Sequence, residues 1–275
     1  MPIRPSEHAN IEGILLYAAI RKMPGYHGEV ILFDLPDVSV VLIMIVVAAS
    51  TLQAATGIGF GVIAGPALII TTGSASAIQA SILLSLLIAL LVSPWTLQKV
   101  NRPLLKPILV GICIGSPIGA VLFALMTIGQ LKIGAAIAVG FMALAAAGLF
   151  DRFPLFTRDS VLRRGAAGGV SGLLNSTLAM PGPPIAAYTS AIRQDKETIR
   201  ATTLTAFLIA YPISFALQWG VAGLSDSVLP LVYTLAIPTA SGTVLGVVLG
   251  KLLPYWLFRI VVVLFLIASV VSLLG

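Results

Sequence analysis

The sequence predicts an all-α polytopic membrane protein made of two inverted repeats, each a broken-helix hairpin plus three transmembrane helices. Three observations carry that expectation. Of 275 residues, 58% are hydrophobic and 9% charged, against roughly a quarter charged in an ordinary soluble domain. The ten acidic residues leave positions 38–150 without a carboxylate, which is incompatible with a water-facing surface of that length. The basic residues, which bring the net charge to +6, fall in short clusters between apolar runs. That is how membrane proteins are oriented, and it argues against a nucleic-acid partner.

A span needs about 20 apolar residues, and reading in that unit gives segments at 38–71, 77–96, 107–126, 132–150, 165–192, 201–219, 229–249 and 256–274. Four connections are rich in Lys and Arg: Lys99, Arg102 and Lys106; Arg152, Arg158, Arg163 and Arg164; Arg193, Lys196 and Arg200; Lys251 and Arg259. The positive-inside rule makes these cytoplasmic. The stretches 72–76 and 220–228 hold no basic residue, and 127–131 holds none before Lys132; these are expected outside.

Segment 165–192 then begins and ends beside a cytoplasmic cluster, so it must enter and return, with its break in "NSTLAMPGPP". Segment 38–71 must likewise return to the outer side, breaking in "QAATGIGFGVIAGPAL", Gln53–Leu68. An odd number of full crossings per half inverts the second half relative to the first. The expected division is an extension at 1–37, a first repeat at 38–150, a cytoplasmic linker at 151–164 and a second repeat at 165–275. At an offset of 122, Gln53 falls on Asn175 and "GFGVIA" on "PGPPIA"; at 123, "GAVL" from Gly119 falls on "GTVL" from Gly242. Trp95, Trp219 and Trp256 fall at span ends, where interfacial anchors belong. In the extension, "GILLYAAI" is too short to span and lacks the flanks of a signal peptide.

Backbone at mid-membrane must be hydrogen-bonded internally or face a polar cavity, so two breaks at matching positions mark a candidate binding site. Gly57, Gly59 and Gly61 allow close backbone approach. The helix restarting after each break presents free N–H groups and a positive dipole end to an anion. Pro181, Pro183 and Pro184 suit the start of a helix. Thr56, Ser176 and Thr177 offer hydroxyls, and Gln53 and Asn175 offer amides. Tyr188 and Tyr211 are placed either to line the cavity or to pack. Gln79, Ser81, Ser85 and Thr205 are expected to hydrogen-bond between helices. With no Lys or Arg inside the two predicted hairpin segments, an oxyanion would be held by dipoles and neutral donors. Glycine also serves close helix packing and amides also tie helices together, and both alternatives stay open here.

Other chemistries are poorly served. "TGIGFG" has the wrong third-glycine spacing for a dinucleotide loop and no acid about 20 residues on. His8 and His27 stand apart in the extension. The spans contain no Asp, Glu or His, so neither a metal site nor a catalytic residue is expected, and no cofactor. The lone Cys113 excludes an intrachain disulfide and reads as a small packing residue.

"GIGFGVIAGPAL" and "GGVSGLLNSTLAMPGPPIAAY", Gly168–Tyr188, resemble the paired signatures of the TauE/SafE family of sulfite and sulfonate exporters, over about residues 38–275. The resemblance carries Gly57, Gly59, Gly61 and Pro66 onto the first motif, and Gly172 and Gly182 onto the second. It implies a carrier in the plasma (inner) membrane of a bacterium that exports sulfite, sulfoacetate or a related sulfur-containing anion, driven by a proton or sodium gradient. Where members commonly show a glycine run, this chain has Asn175, Ser176, Thr177 and Pro181, a departure that leaves the exact substrate unassigned. The alternatives are an anion channel, a carrier of small carboxylates and a membrane-anchoring subunit.

Overall fold

A computed structural model describes residues 39–57, 60–146, 159–192 and 194–252; the expectations for residues 1–37, for Gly59 and for the last span at 256–274 lie outside them. Among the described residues every regular element is helical: α1 (Val40–Thr56), α2 (Phe60–Thr72), α3 (Ser76–Thr96), α4 (Arg102–Leu125), α5 (Ile128–Ala146), α6 (Val161–Leu178), α7 (Gly182–Ala191), α8 (Lys196–Ala222) and α9 (Val228–Leu252). Four of them, α3, α4, α8 and α9, are long and apolar enough to cross a membrane.

Both long segments predicted to break are broken. Segment 38–71 becomes α1 and α2, and segment 165–192 becomes α6 and α7, the partners of each pair packing on each other. The starts differ from the apolar count, because polar caps begin helices ahead of their apolar runs. Ser160 accepts from the Arg163 N–H and starts α6 at 161 rather than 165; Asp195 accepts from the Thr198 N–H and starts α8 at 196 rather than 201. Asn101 does the same for α4 through Leu104, and Ser39 for α1 through Leu42.

The most extensive helix contacts are α4 on α6 and α9 on α1, and glycines at a spacing of four create both. A Cβ on Gly111, Gly115 or Gly119 of α4 would lie 2.0, 1.9 or 2.3 Å from the carbonyl oxygens of Gly165, Gly169 or Leu173 on α6. On α9, a Cβ on Gly242 or Gly246 would lie 2.5 Å from the Val47 oxygen or 2.2 Å from that of Thr51 on α1. The backbones therefore touch, as small-residue seams allow in lipid. The opposite face of α4 exposes Val110, Ile114, Ile118 and Val121, the pattern of a lipid-facing surface. Cys113 is exposed on that flank rather than packed inside, because it lies two residues from the glycine face.

Hydrogen bonds identify the two ends of the bundle. At one end Lys99 pairs with Glu197, the Asn101 N–H donates to Thr202 Oγ1 at 3.2 Å, and Arg164 Nη1 donates to the Pro103 carbonyl at 2.8 Å. Three of the basic clusters predicted cytoplasmic therefore meet there. At the other end Gln79 Nε2 donates to the Gly223 carbonyl at 2.8 Å, joining the neighbourhoods of two stretches predicted outside.

Candidate functional site

The first break is organised by one residue. Helix α1 ends at Gly57, in the left-handed conformation at φ 84°, whose N–H donates to the Gln53 carbonyl at 2.7 Å. The Gln53 side chain then reaches across the break, and its Oε1 accepts from the Phe60 N–H at 3.1 Å. Gln53 thus terminates one half-helix with its main chain and caps the next with its side chain. Its Nε2 lies 3.4 Å from the Ser85 carbonyl in the middle of α3.

The second break repeats this backbone plan with different side chains. Helix α6 ends at Ala179, also left-handed at φ 59°, whose N–H donates to the Asn175 carbonyl at 2.8 Å. The two left-handed residues are separated by the same 122 positions as Gln53 and Asn175. Asn175 Nδ2 donates to the Ala210 carbonyl at 3.1 Å and to Ser214 Oγ at 2.7 Å, near the middle of α8. Each amide therefore turns to the long helix that follows its own hairpin.

The two breaks touch. A Cβ on Gly61, in the first turn of α2, would lie 1.9 Å from the Ala179 carbonyl oxygen. Around this contact the structure gathers Gln53, Gly57, Gly61, Asn175, Ser176, Pro181 and Gly182, all buried. Several of these polar groups are already engaged. Ser176 shares a 2.6 Å hydrogen bond with Ser214, and Gln218 Nε2 donates to the Ser176 carbonyl. The Pro181 carbonyl accepts from Ser171 Oγ at 2.6 Å. Thr56 Oγ1 donates to Leu52 in its own helix, and Thr177 Oγ1 lies 3.0 Å from the Gly119 carbonyl, in the α4–α6 seam. Gly172 also belongs to that seam, its α-carbon facing Ile112. Pro66 is a buried interior residue of α2.

Tyr188 is directed elsewhere. Its hydroxyl donates to Asp159, which also holds Arg164, at the end of the bundle where the basic clusters meet. The Arg164 and Tyr188 hydrogen bonds pull the Asp159 carboxyl down from its ordinary 3.8 to about 2.

Three further groups stand at the breaks, of which Ser85 and Tyr211 are among the sequence candidates and Arg200 reads in the sequence only as part of a cytoplasmic basic cluster. The hydroxyls of Ser81 and Thr205 are buried without a hydrogen-bond partner, so the interhelical bonds expected of these two are not made, whereas Gln79 makes its own and the Ser85 hydroxyl faces Tyr211 of α8. Fully buried Tyr211 packs its ring on Phe207 and stands close to the side chains of Ser85 and Gln53. The third is Arg200. Because Asp195 starts α8 early, Arg200 is part of the helix, with its backbone against Gly57 and its Nε donating to the Ala54 carbonyl at 2.8 Å. The expectation of breaks served only by neutral donors is corrected: a guanidinium sits beside the first one. The signal was available, since an Asp-x-x-Thr cap precedes the apolar run.

Arranged in this way, the breaks combine the positive end of α2, small-residue access, neutral hydroxyls and one cation, with no carboxylate in the described interior. Such a set of groups suits an anion better than a cation. Among the described residues no three His, Cys, Asp or Glu side chains converge as a metal site would require. The family model described as sulfite exporter TauE/SafE matches residues 42–273, most of the chain and both breaks. The chain belongs to the TauE/SafE family. As a member it is a multi-pass membrane protein of sulfite- and sulfonate-exporter type, and the family's activity is transport rather than catalysis. No curated protein and no solved structure matches the chain.

Proposed function

We propose that this TauE/SafE protein is a secondary transporter of a bacterial inner membrane that exports a small sulfur-containing anion, sulfite, sulfoacetate or a related organosulfonate, by alternating access. The anion binds where the two breaks meet, and the two halves act as inverted repeats that rock about it, with a proton or sodium gradient as the driving force.

The observation that carries this reading is the contact between Gly61 and the Ala179 carbonyl, which joins the break of one hairpin to that of the other. The reciprocal seams favour the repeat as well, since each hairpin's first helix packs on the second long helix of the opposite half. Gln53 and Asn175 position the breaks through the mid-helix carbonyls of Ser85 and Ala210. The N–H groups in the first turn of α2 beyond Phe60, whose own N–H is capped by Gln53, are the donors that meet the anion.

The test is flux of radiolabelled sulfite or sulfoacetate into proteoliposomes. Saturable counterflow is expected from the wild type, with at least a tenfold loss in the double variant Gln53→Leu, Asn175→Leu shown to be folded and monodisperse. Undiminished flux in that variant removes the breaks from the site, and unitary currents would make the protein a channel. Reporters fused at Arg158 and Ser225 should score cytoplasmic and external; the reverse at either undoes the inverted repeat.

A further inference from the structure

A buried guanidinium needs explaining, because an ion removed from water costs several kcal/mol unless partners replace its hydration. Arg200 is half-buried and its Nη2 is fully buried with no hydrogen-bond partner. Among the described residues its one hydrogen bond is from Nε to the Ala54 carbonyl. No described carboxylate hydrogen-bonds or ion-pairs with it, although the charge of Glu197 acts on it. Glu197, three residues earlier, pairs with Lys99; Asp195 caps the Thr198 N–H; Asp159 is held by Arg164 and Tyr188. Asp226 follows the far end of α8.

Capping the C-terminal carbonyls of α1 is a sufficient use for Nε, but it leaves the rest of the guanidinium fork idle. That fork matches the paired oxygens of an oxyanion in a way a lysine does not. It is also at the right place, since a Cβ on Gly57 would lie 3.4 Å from the Arg200 α-carbon. Arg200 stands between the basic end of the bundle and the contact of the two breaks.

We propose that Arg200 is the charged contact for the transported anion, its Nη2 receiving an oxyanion group that arrives from the cytoplasmic side beneath the first break. The inference rests on the transport reading and deepens it by assigning a substrate class. A fixed cation facing the anion, with the neighbouring Glu197 already paired to Lys99, favours small dianions. Sulfite and sulfoacetate fit; the zwitterion taurine does not.

Calorimetric titration of the purified full-length protein with sulfite, sulfoacetate and taurine tests this. Wild type should bind the first two, with taurine at least tenfold weaker. Arg200→Gln should lose roughly 10- to 100-fold in affinity for the dianions, the value of a charge-assisted hydrogen bond. Arg200→Lys, which keeps the charge and is the safer variant for folding, should fall between. If either folded variant binds as tightly as wild type, or if wild type binds neither dianion, the contact is overturned. Proteoliposome flux separates the two ideas. Counterflow with affinity independent of Arg200 removes only this contact, whereas Arg200-dependent binding without counterflow removes only the carrier.

Discussion

The first and second breaks share a backbone and divide the chemistry. In both, a left-handed residue follows an amide residue by four positions and donates its N–H back to that residue's carbonyl. At the first break the left-handed residue is Gly57, free of strain, and the restarting helix has its Phe60 N–H capped by a side chain. At the second it is Ala179, and α7 opens with Gly182, Pro183 and Pro184, two of which have no N–H to offer. The first break is therefore held by a side-chain cap beside a flexible glycine, and the second by a proline-led backbone. The same turn can be made open to a ligand or rigid, depending on whether glycine or proline surrounds it.

The largest expected effect comes from separating the two breaks. Gly61→Ala places a carbon 1.9 Å from a backbone oxygen, and no rotamer change relieves a backbone clash. A loss of about 3 kcal/mol or more is expected, seen as a much lower thermal midpoint in detergent or no recoverable fold. Gly65→Ala is the control one turn on. There the nearest atom is the flexible end of Met180 at 3.5 Å, and the change should be neutral or slightly stabilising, since alanine favours helix by up to ~1 kcal/mol. Equal effects at the two positions would mean that the breaks do not press on each other.

Exchanging the left-handed residues should give opposite signs. Gly57→Ala adds strain at φ 84° and presses on Arg200 at 3.4 Å, costing roughly 1–2 kcal/mol. Ala179→Gly relieves the same strain at φ 59° and should stabilise by somewhat less than that, because glycine also enlarges the unfolded ensemble. Thermal midpoints of the two variants, measured side by side, read the difference directly. Destabilisation by both would show that Ala179 is held by its contacts rather than strained.

The hairpins themselves were legible in the sequence, because the basic clusters fix which segments must turn back and the glycine- and proline-rich stretches within those segments supply the places to break. The family signature was legible for the same reason. The left-handed conformation of Ala179 was not: alanine carries no sign of it, and only the equivalence with Gly57 hints at it. Counting apolar residues also missed Arg200, since the count begins at Ala201 while the helix begins at its Asp195 cap. The destinations of Gln53 and Asn175 were hidden because their partners are mostly main-chain groups, which every residue has. The glycine spacing of four in α4 and α9 announced close packing without naming α6 and α1 as the partners.

The smallest effect lies in how the two hairpins are anchored at the basic end. The first has Arg200 beneath its break, whereas the second is tied through Tyr188 and Arg164 to Asp159. Those bonds hold the Asp159 carboxyl near 2 in the folded protein against an ordinary 3.8. A carboxyl depressed on folding stabilises above its unfolded value and loses that contribution as pH falls through the folded one. The stabilisation should therefore be complete above about pH 4 and fade towards about pH 2. Asp159 is partly exposed, so solvent screening keeps the effect modest. Asp159→Asn should lower the thermal midpoint slightly at neutral pH and flatten its dependence on pH in that acidic window, while Lys99→Gln, which removes the exposed pair with Glu197, should leave the acid profile of the second hairpin as it is. An unchanged profile in Asp159→Asn would mean that the second hairpin is held by its proline-led backbone alone.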